Sequence, residues 1–196
     1  MCIIQNKDEV AVYRAENMMK EYTAFLRGIN VSGKNKIAMA ELKALFIGMG
    51  FAGVSTVLNS GNVLFSSESA DGNEIRVRVS GKIREAFGYE VPVYVAERDR
   101  LRVILRHAPK WWNPGDRRYY HNLVFILTDD SPDDICRLAG APSEGKEFIQ
   151  SYDEVIFWSY DLSCYQKCNW WKATAARGIA ERLTIRTGNT VKRVCR

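Results

Sequence analysis

Gly28, Gly33 and Lys34 stand at the first three fixed positions of G-x-x-x-x-G-K-[ST], in which loop amides and a lysine cradle nucleotide phosphates and a hydroxyl reaches magnesium. Asn35 stands where that hydroxyl belongs. Such a loop also needs its helix to start at the Gly-Lys, so that the helix N-terminus faces the phosphates. Here the apolar helical period starts about four residues later, near Met39. No apolar strand ending in an unpaired Asp supplies a carboxylate to orient magnesium. The triphosphatase reading therefore fails. Two readings remain: a surface turn carrying the solvated Lys34 and Lys36, or a weaker anion-binding loop.

Other side chains offer less. Cys164 and Cys168 lie one helical turn apart, but Trp171, Ala175, Ile179 and Leu183 continue the same stripe, which predicts that both cysteines face the core. With His107 and His121 as the only histidines, a four-ligand zinc site has few candidates, and no metal or cofactor is expected. Asp129, Asp130, Asp133 and Asp134 read as a helix N-terminal cluster. Trp111, Trp112, Trp170 and Trp171, beside Lys110, Lys167 and Lys172, either stack on bases or anchor the chain in its own core. No general acid or base stands out, so enzymatic activity is left open.

The chain has 196 residues, enough to bury roughly 70% of its unfolded surface without staples. Its hydrophobic content of 46% excludes disorder as the default state. A net charge of +5 favours anionic partners without dictating a mechanism. Five scattered cysteines with no C-x-x-C pair argue against a disulfide framework and for a reducing cytoplasm. No stretch approaches the roughly 20 apolar residues of a membrane helix, and the first twenty residues, with Asp8, Glu9 and Glu16, are no secretory signal.

The elements that must position these residues follow from period and punctuation. Thr23 to Gly28 reads as a buried strand; after a loop, Leu42, Leu45, Phe46 and Met49 mark a one-faced helix ended by Gly50. Val54 to Leu58 and Val63 to Ser66, flanking N-S-G-N, read as a hairpin or as one bent strand. Ile75, Val79, Ile83 and Phe87 form a helix before the strand VPVYVA, and Leu101, Ile104, Leu105 and Ala108 another that stops at Pro109. The K-W-W-N-P-G-D-R-R linker divides the chain near Asn113. The second half repeats the grammar as strand, short helix and hairpin. A helix from about Ser163 to Leu183 follows, then a last strand or a loop entering a helix. The expected fold class is α+β, two ferredoxin-like βαββαβ-type halves with mainly antiparallel sheets. The expected divisions are residues 1–20 as an extension, 21–112 and 113–196.

In an antiparallel βαββαβ sheet the first and second strands run the same way, so the loop after the first strand and the hairpin turn share one edge. Arg27, Asn30, Lys34 and Asn35 would then converge with Asn59, Ser60 and Asn62 as donors around two glycine turns.

Leu26 to Leu42 (LRGINVSGKNKIAMAEL) with Leu58 to Phe65 (LNSGNVLF) resembles the bacterial domain-of-unknown-function family 1697. APKWWN, HNLVF, EVIFWS and TIRTGNT extend the likeness from about Tyr22 to Val194. The resemblance implies a two-part α+β fold and brings no established activity. It carries over Thr184, Arg186, Asn189 and Thr190 from a closing T-x-R-N-x-N-T motif, in which Thr187 replaces the family's Asn. Family members begin close to Tyr22, so Met18 or Met19 is the expected natural start. Residue reading and resemblance together predict a polar edge, joined by Arg186, Asn189 and Thr190, that binds a phosphate-bearing anion: a nucleotide or a nucleic-acid backbone. An enzyme acting on a phosphate-bearing small molecule, and an interaction module docking through Trp111 and Trp112, are the other expectations. Oligomeric state is not legible.

Overall fold

The computed structural model describes residues 19–31, 35–68 and 71–196. The expectations for residues 1–18 and for Lys34 lie outside these. The chain folds as β1 (Lys20–Leu26), α1 (Met39–Gly48), β2 (Ala52–Val57), β3 (Asn62–Ser67), α2 (Gly72–Phe87), β4 (Val93–Glu97) and α3 (Arg98–Arg106). It then repeats as β5 (Tyr119–Ile126), α4 (Pro132–Ala139), β6 (Glu147–Tyr152), β7 (Val155–Asp161), α5 (Asn169–Ala175), α6 (Arg177–Ala180), β8 (Leu183–Thr187) and α7 (Gly188–Val194). The two strand orders, β2-β3-β1-β4 and β6-β7-β5-β8, are equivalent, and every pairing is antiparallel. Both halves are thus ferredoxin-like, and the second completes the pattern that its sequence carries only as far as βαββα.

Local chemistry sets the boundaries. Asp71 caps α2 by accepting from the amides of Asn73 and Glu74 at 2.8 and 3.3 Å. Ser131 opens α4 with a reciprocal capping box to Asp134. The single long helix expected from Ser163 to Leu183 is instead a 3₁₀ turn (Tyr165–Lys167) followed by α5 and α6, broken where Cys168 and Ala176 are extended. The break is organised by Glu147. Its buried carboxylate accepts from the amides of Ser143 (2.9 Å), Trp170 (3.0 Å) and Trp171 (3.2 Å), so a new helix starts under it. Cys164 therefore precedes that helix rather than sharing a turn with Cys168.

Alternation along the strands builds a layered sandwich. Tyr22, Ala24 and Leu26 of β1 pack under α1 and α2, while Val124 and Ile126 of β5 pack under α4 and α5. The opposite faces meet each other. Phe25 stacks on Phe125 at 4.6 Å between ring centroids, Tyr94 lies 4.8 Å from the same ring, and Leu101, Ile104, Val191 and Val194 complete this central layer. The helix ending each half is thus part of the seam. Arg98 and Arg102 of α3 donate to the carbonyls of Val194 and Cys195 at the end of α7. Arg100 pairs with Asp153, and His107 stacks on Tyr152, both in the β6–β7 hairpin.

Phe125→Ala is expected to cost about 3–5 kcal/mol, because it leaves a cavity that two sheets cannot close. Urea denaturation should keep one cooperative transition at a lower midpoint; two separate transitions would show that the halves unfold independently.

Candidate functional site

The two bends share a rim. Leu26, at the end of β1, donates its amide to Gly61 O at 2.8 Å, and Asn30 donates through Nδ2 to Asn59 O at 3.0 Å. Asn30 is the clasp of the first bend. It also donates to Ile37 O and accepts from Ile37 N, both at 2.9 Å, while its own amide reaches Asn35 O at 3.1 Å. Asn35 returns a bond from Nδ2 to Gly28 O at 3.2 Å. In the second bend Asn62 is buried and donates to Val57 O at 2.8 Å and Ser60 Oγ at 3.1 Å. The amides of Asn30, Asn35 and Asn62 therefore hold the backbone in shape, leaving the Asn59 side chain and the Ser60 hydroxyl on the exposed lip.

Gly61 is the hinge of this arrangement. A Cβ there would come within 2.7 Å of Ile29 Cδ1 and 2.8 Å of Leu26 Cβ, and its φ is +74°. Leu58 also has φ +60°, a region that bulky residues avoid, and it is exposed. Sequence alone gave no sign of this strain, since the residue type argues against it.

Arg186 comes to the rim from the other half. Its Nη2 donates to Leu26 O at 2.5 Å, Nη1 makes a long 3.4 Å contact with Ile185 O, and the guanidinium carbon lies 5.5 Å from the centroid of Phe25. No carboxylate lies within 4 Å among the described residues, and Nε is buried without an acceptor. Burial lowers its pKa to about 10, the mark of a charge stripped of water. Asn62 Oδ1, on the strand residue paired with Phe25, is likewise buried with no donor among the described residues. Arg27 is half-buried with no ion pair among the described residues, and its backbone amide is held by Pro92 O.

The closing motif is only partly gathered. Thr187 caps α7 by accepting from Thr190 N at 3.2 Å, and the Thr187 and Thr190 hydroxyls meet at 3.0 Å. Thr190 is buried there and Asn189 is exposed on α7; among the described residues no hydrogen bond ties either to the two bends. Gly188 is required because Trp112 and Pro114 lie 3.0 and 2.6 Å from where its Cβ would be.

Other constellations resolve as structure. Trp112 is buried, donates to Asn122 O at 2.7 Å and meets Phe157 edge-on; Trp111 packs on Phe148. Trp170 is fully buried and Trp171 packs against the same core. These rings are core anchors, so the base-stacking and tryptophan-docking expectations lose their platform. Burial pushes the Cys168 thiol up to about 11, the wrong direction for a nucleophile, and no metal-binding group of three is found among the described residues. A serine–histidine contact that sequence reading missed, His121 Nδ1 to Ser159 Oγ at 2.7 Å, pairs β5 with β7 and is buried. Its only sequence signal was the polar residue on each of two apolar strands.

Fold and rim together define a protein of two ferredoxin-like halves joined sheet to sheet, with one half's arginine seated at the other's loop. The chain belongs to the family of proteins of unknown function DUF1697, whose model matches residues 19–157. It is similar to a solved structure, the conserved bacterial protein SP0830 from Streptococcus pneumoniae. That match has 23% identity and a TM-score of 0.76, covering 90% of this chain and 97% of the other. The likeness is one of fold. An unknown protein from Galdieria sulphuraria is matched over 86% of this chain and 97% of its own at 10% identity, with a TM-score of 0.27 that carries no argument. No curated protein matches the chain. Among the described residues no helix is long and apolar enough to cross a membrane.

Two outcomes follow from this geometry. Asn30→Ala removes three side-chain hydrogen bonds and is expected to cost about 2–3 kcal/mol, with faster hydrogen exchange at the Ile37 amide. Burial also holds the His121 imidazole below its ordinary pKa, so the unfolded chain binds that proton more readily. Its stability contribution is complete above about pH 6.5 and falls as pH drops below that value. Denaturation midpoints at pH 7.5 and 5.5 should differ less in His121→Gln than in the parent.

Proposed function

We propose that the rim binds a phosphate-bearing anion, a nucleotide or a nucleic-acid backbone, in the cytoplasm, with Arg186 as its charge and the two bends as its walls. One observation carries this reading. A guanidinium has five N–H donors, and that of Arg186 directs two of them at main-chain carbonyls while no carboxylate among the described residues neutralises it. Removing such a charge from water is costly unless an anion compensates, and hydrogen bonds to phosphate in a desolvated setting are strong. Arg27, the Ser60 hydroxyl and the Asn59 amide are the nearby polar groups whose donors the fold leaves available.

Thermal unfolding with pyrophosphate or adenosine diphosphate tests the reading. At 100-fold excess over Kd, binding adds about 2.7 kcal/mol and raises Tm by several degrees. Arg186→Met, which keeps volume and removes charge, should leave the free protein equally or more stable and abolish the shift. Equal shifts in parent and variant, or none in the parent with either ligand, would sink the proposal.

A further inference from the structure

The excess positive charge of the chain is not spread over it. Residues 98–118, covering α3 and the crossover segment, hold seven Arg and Lys against two Asp; residues 188–196 hold three against no acid. The whole chain has an excess of only five, so the rest of it is net acidic. These two segments adjoin in space. Trp112 and Pro114 close on Gly188 at the start of α7, and Arg98 and Arg102 hold the carbonyls at its end.

Carboxylates neutralise part of this charge: Arg98 pairs with Glu21, Arg100 with Asp153, Arg102 with Asp99 and Glu21, and Arg118 with Asp161. The other six cations, Arg106, Lys110, Arg117, Lys192, Arg193 and Arg196, are exposed, with no ion pair among the described residues. On α7 the pattern is one-sided. Gly188, Thr190, Val191 and Val194 face inward, while Asn189, Lys192 and Arg193, followed by Arg196, stand at i, i+3, i+4 and i+7 on the solvent side.

We infer that α7 and the crossover segment form a binding face for the phosphate backbone of a nucleic acid. Asn189 to Arg193 covers about 6 Å along the axis of α7, the rise of about two phosphates of one strand. An anionic membrane surface would need an apolar anchor as well as charge. None of the exposed large apolar side chains lies in residues 98–118 or 188–196. Trp111 and Trp112 are committed to the core, so no stacking platform accompanies the cations and the face reads backbone without base sequence. This face uses neither Arg186 nor the two bends, so it is a second site, separate from the rim.

Fluorescence anisotropy of labelled 20-mers, two duplexes of unrelated sequence and one single strand, tests it between 50 and 200 mM salt. Binding should be equal for the two duplexes and weaken steeply with salt. The doubly reversed variant Lys192→Glu, Arg193→Glu, both positions exposed, should keep its Tm while losing at least tenfold in affinity for every oligonucleotide. Lys192→Ala should make the slope of log K against log salt shallower by about one. The Lys192→Glu, Arg193→Glu variant should keep the pyrophosphate-induced rise in Tm expected of the rim, which separates this face from it. No binding at 50 mM salt, undiminished binding by the doubly reversed variant, or capture by phosphatidylserine vesicles that oligonucleotides fail to displace would overturn the inference.

Discussion

The stack of Phe25 on Phe125 is the contact on which the rest depends, because each ring belongs to the central region of its own sheet and neither face can be left wet. A ferredoxin-like sheet has one face covered by its two helices and one face bare. Here the bare faces cover each other, and the helix that ends each half is drawn into the seam. Both halves therefore rely on apolar burial that neither supplies alone. The strand pairings that set the register of β1 against β4, and of β5 against β8, also set where the seam's side chains stand.

From that seam comes the position of Arg186. It sits on β8 opposite Leu123, and the seam carries it to the carbonyl of Leu26 in the other half. The loop it meets is held from within by Asn30 and Asn35, so its polar residues do two different things. The asparagines satisfy backbone groups that a tight turn leaves open, while the guanidinium stays short of a counter-charge. Chemical type alone does not separate these roles; hydrogen-bond partners do.

Much of the fold was legible because periodicity and punctuation agreed: Leu42 and Phe46, Ile75 to Ile83, and the N-S-G-N turn all stand where their spacing put them. The Ser163–Leu183 stretch was misread because its helical stripe is genuine but its continuity is cut by Glu147, a residue from a distant strand with no local signature. The shared rim followed from strand direction, and the bonds from Leu26 to Gly61 and from Asn30 to Asn59 join its two bends. The sequence could not show that Thr187 and Thr190 bond each other at the start of α7, since both follow closely on Arg186 along the chain. Nor could it reveal that Arg186 has no carboxylate partner among the described residues, because an ion pair is a property of packing between halves.

The family model stops at residue 157, inside β7, while the polypeptide goes on to supply β8, α7 and the inward-facing Val191 and Val194. A fragment cut to the recognised span would strip the innermost strand pair of one neighbour and uncover aromatic rings on the mating face. Boundaries of similarity and boundaries of autonomous folding thus diverge in this molecule. The closing forty residues act as a keystone whose removal is felt in the lobe made first.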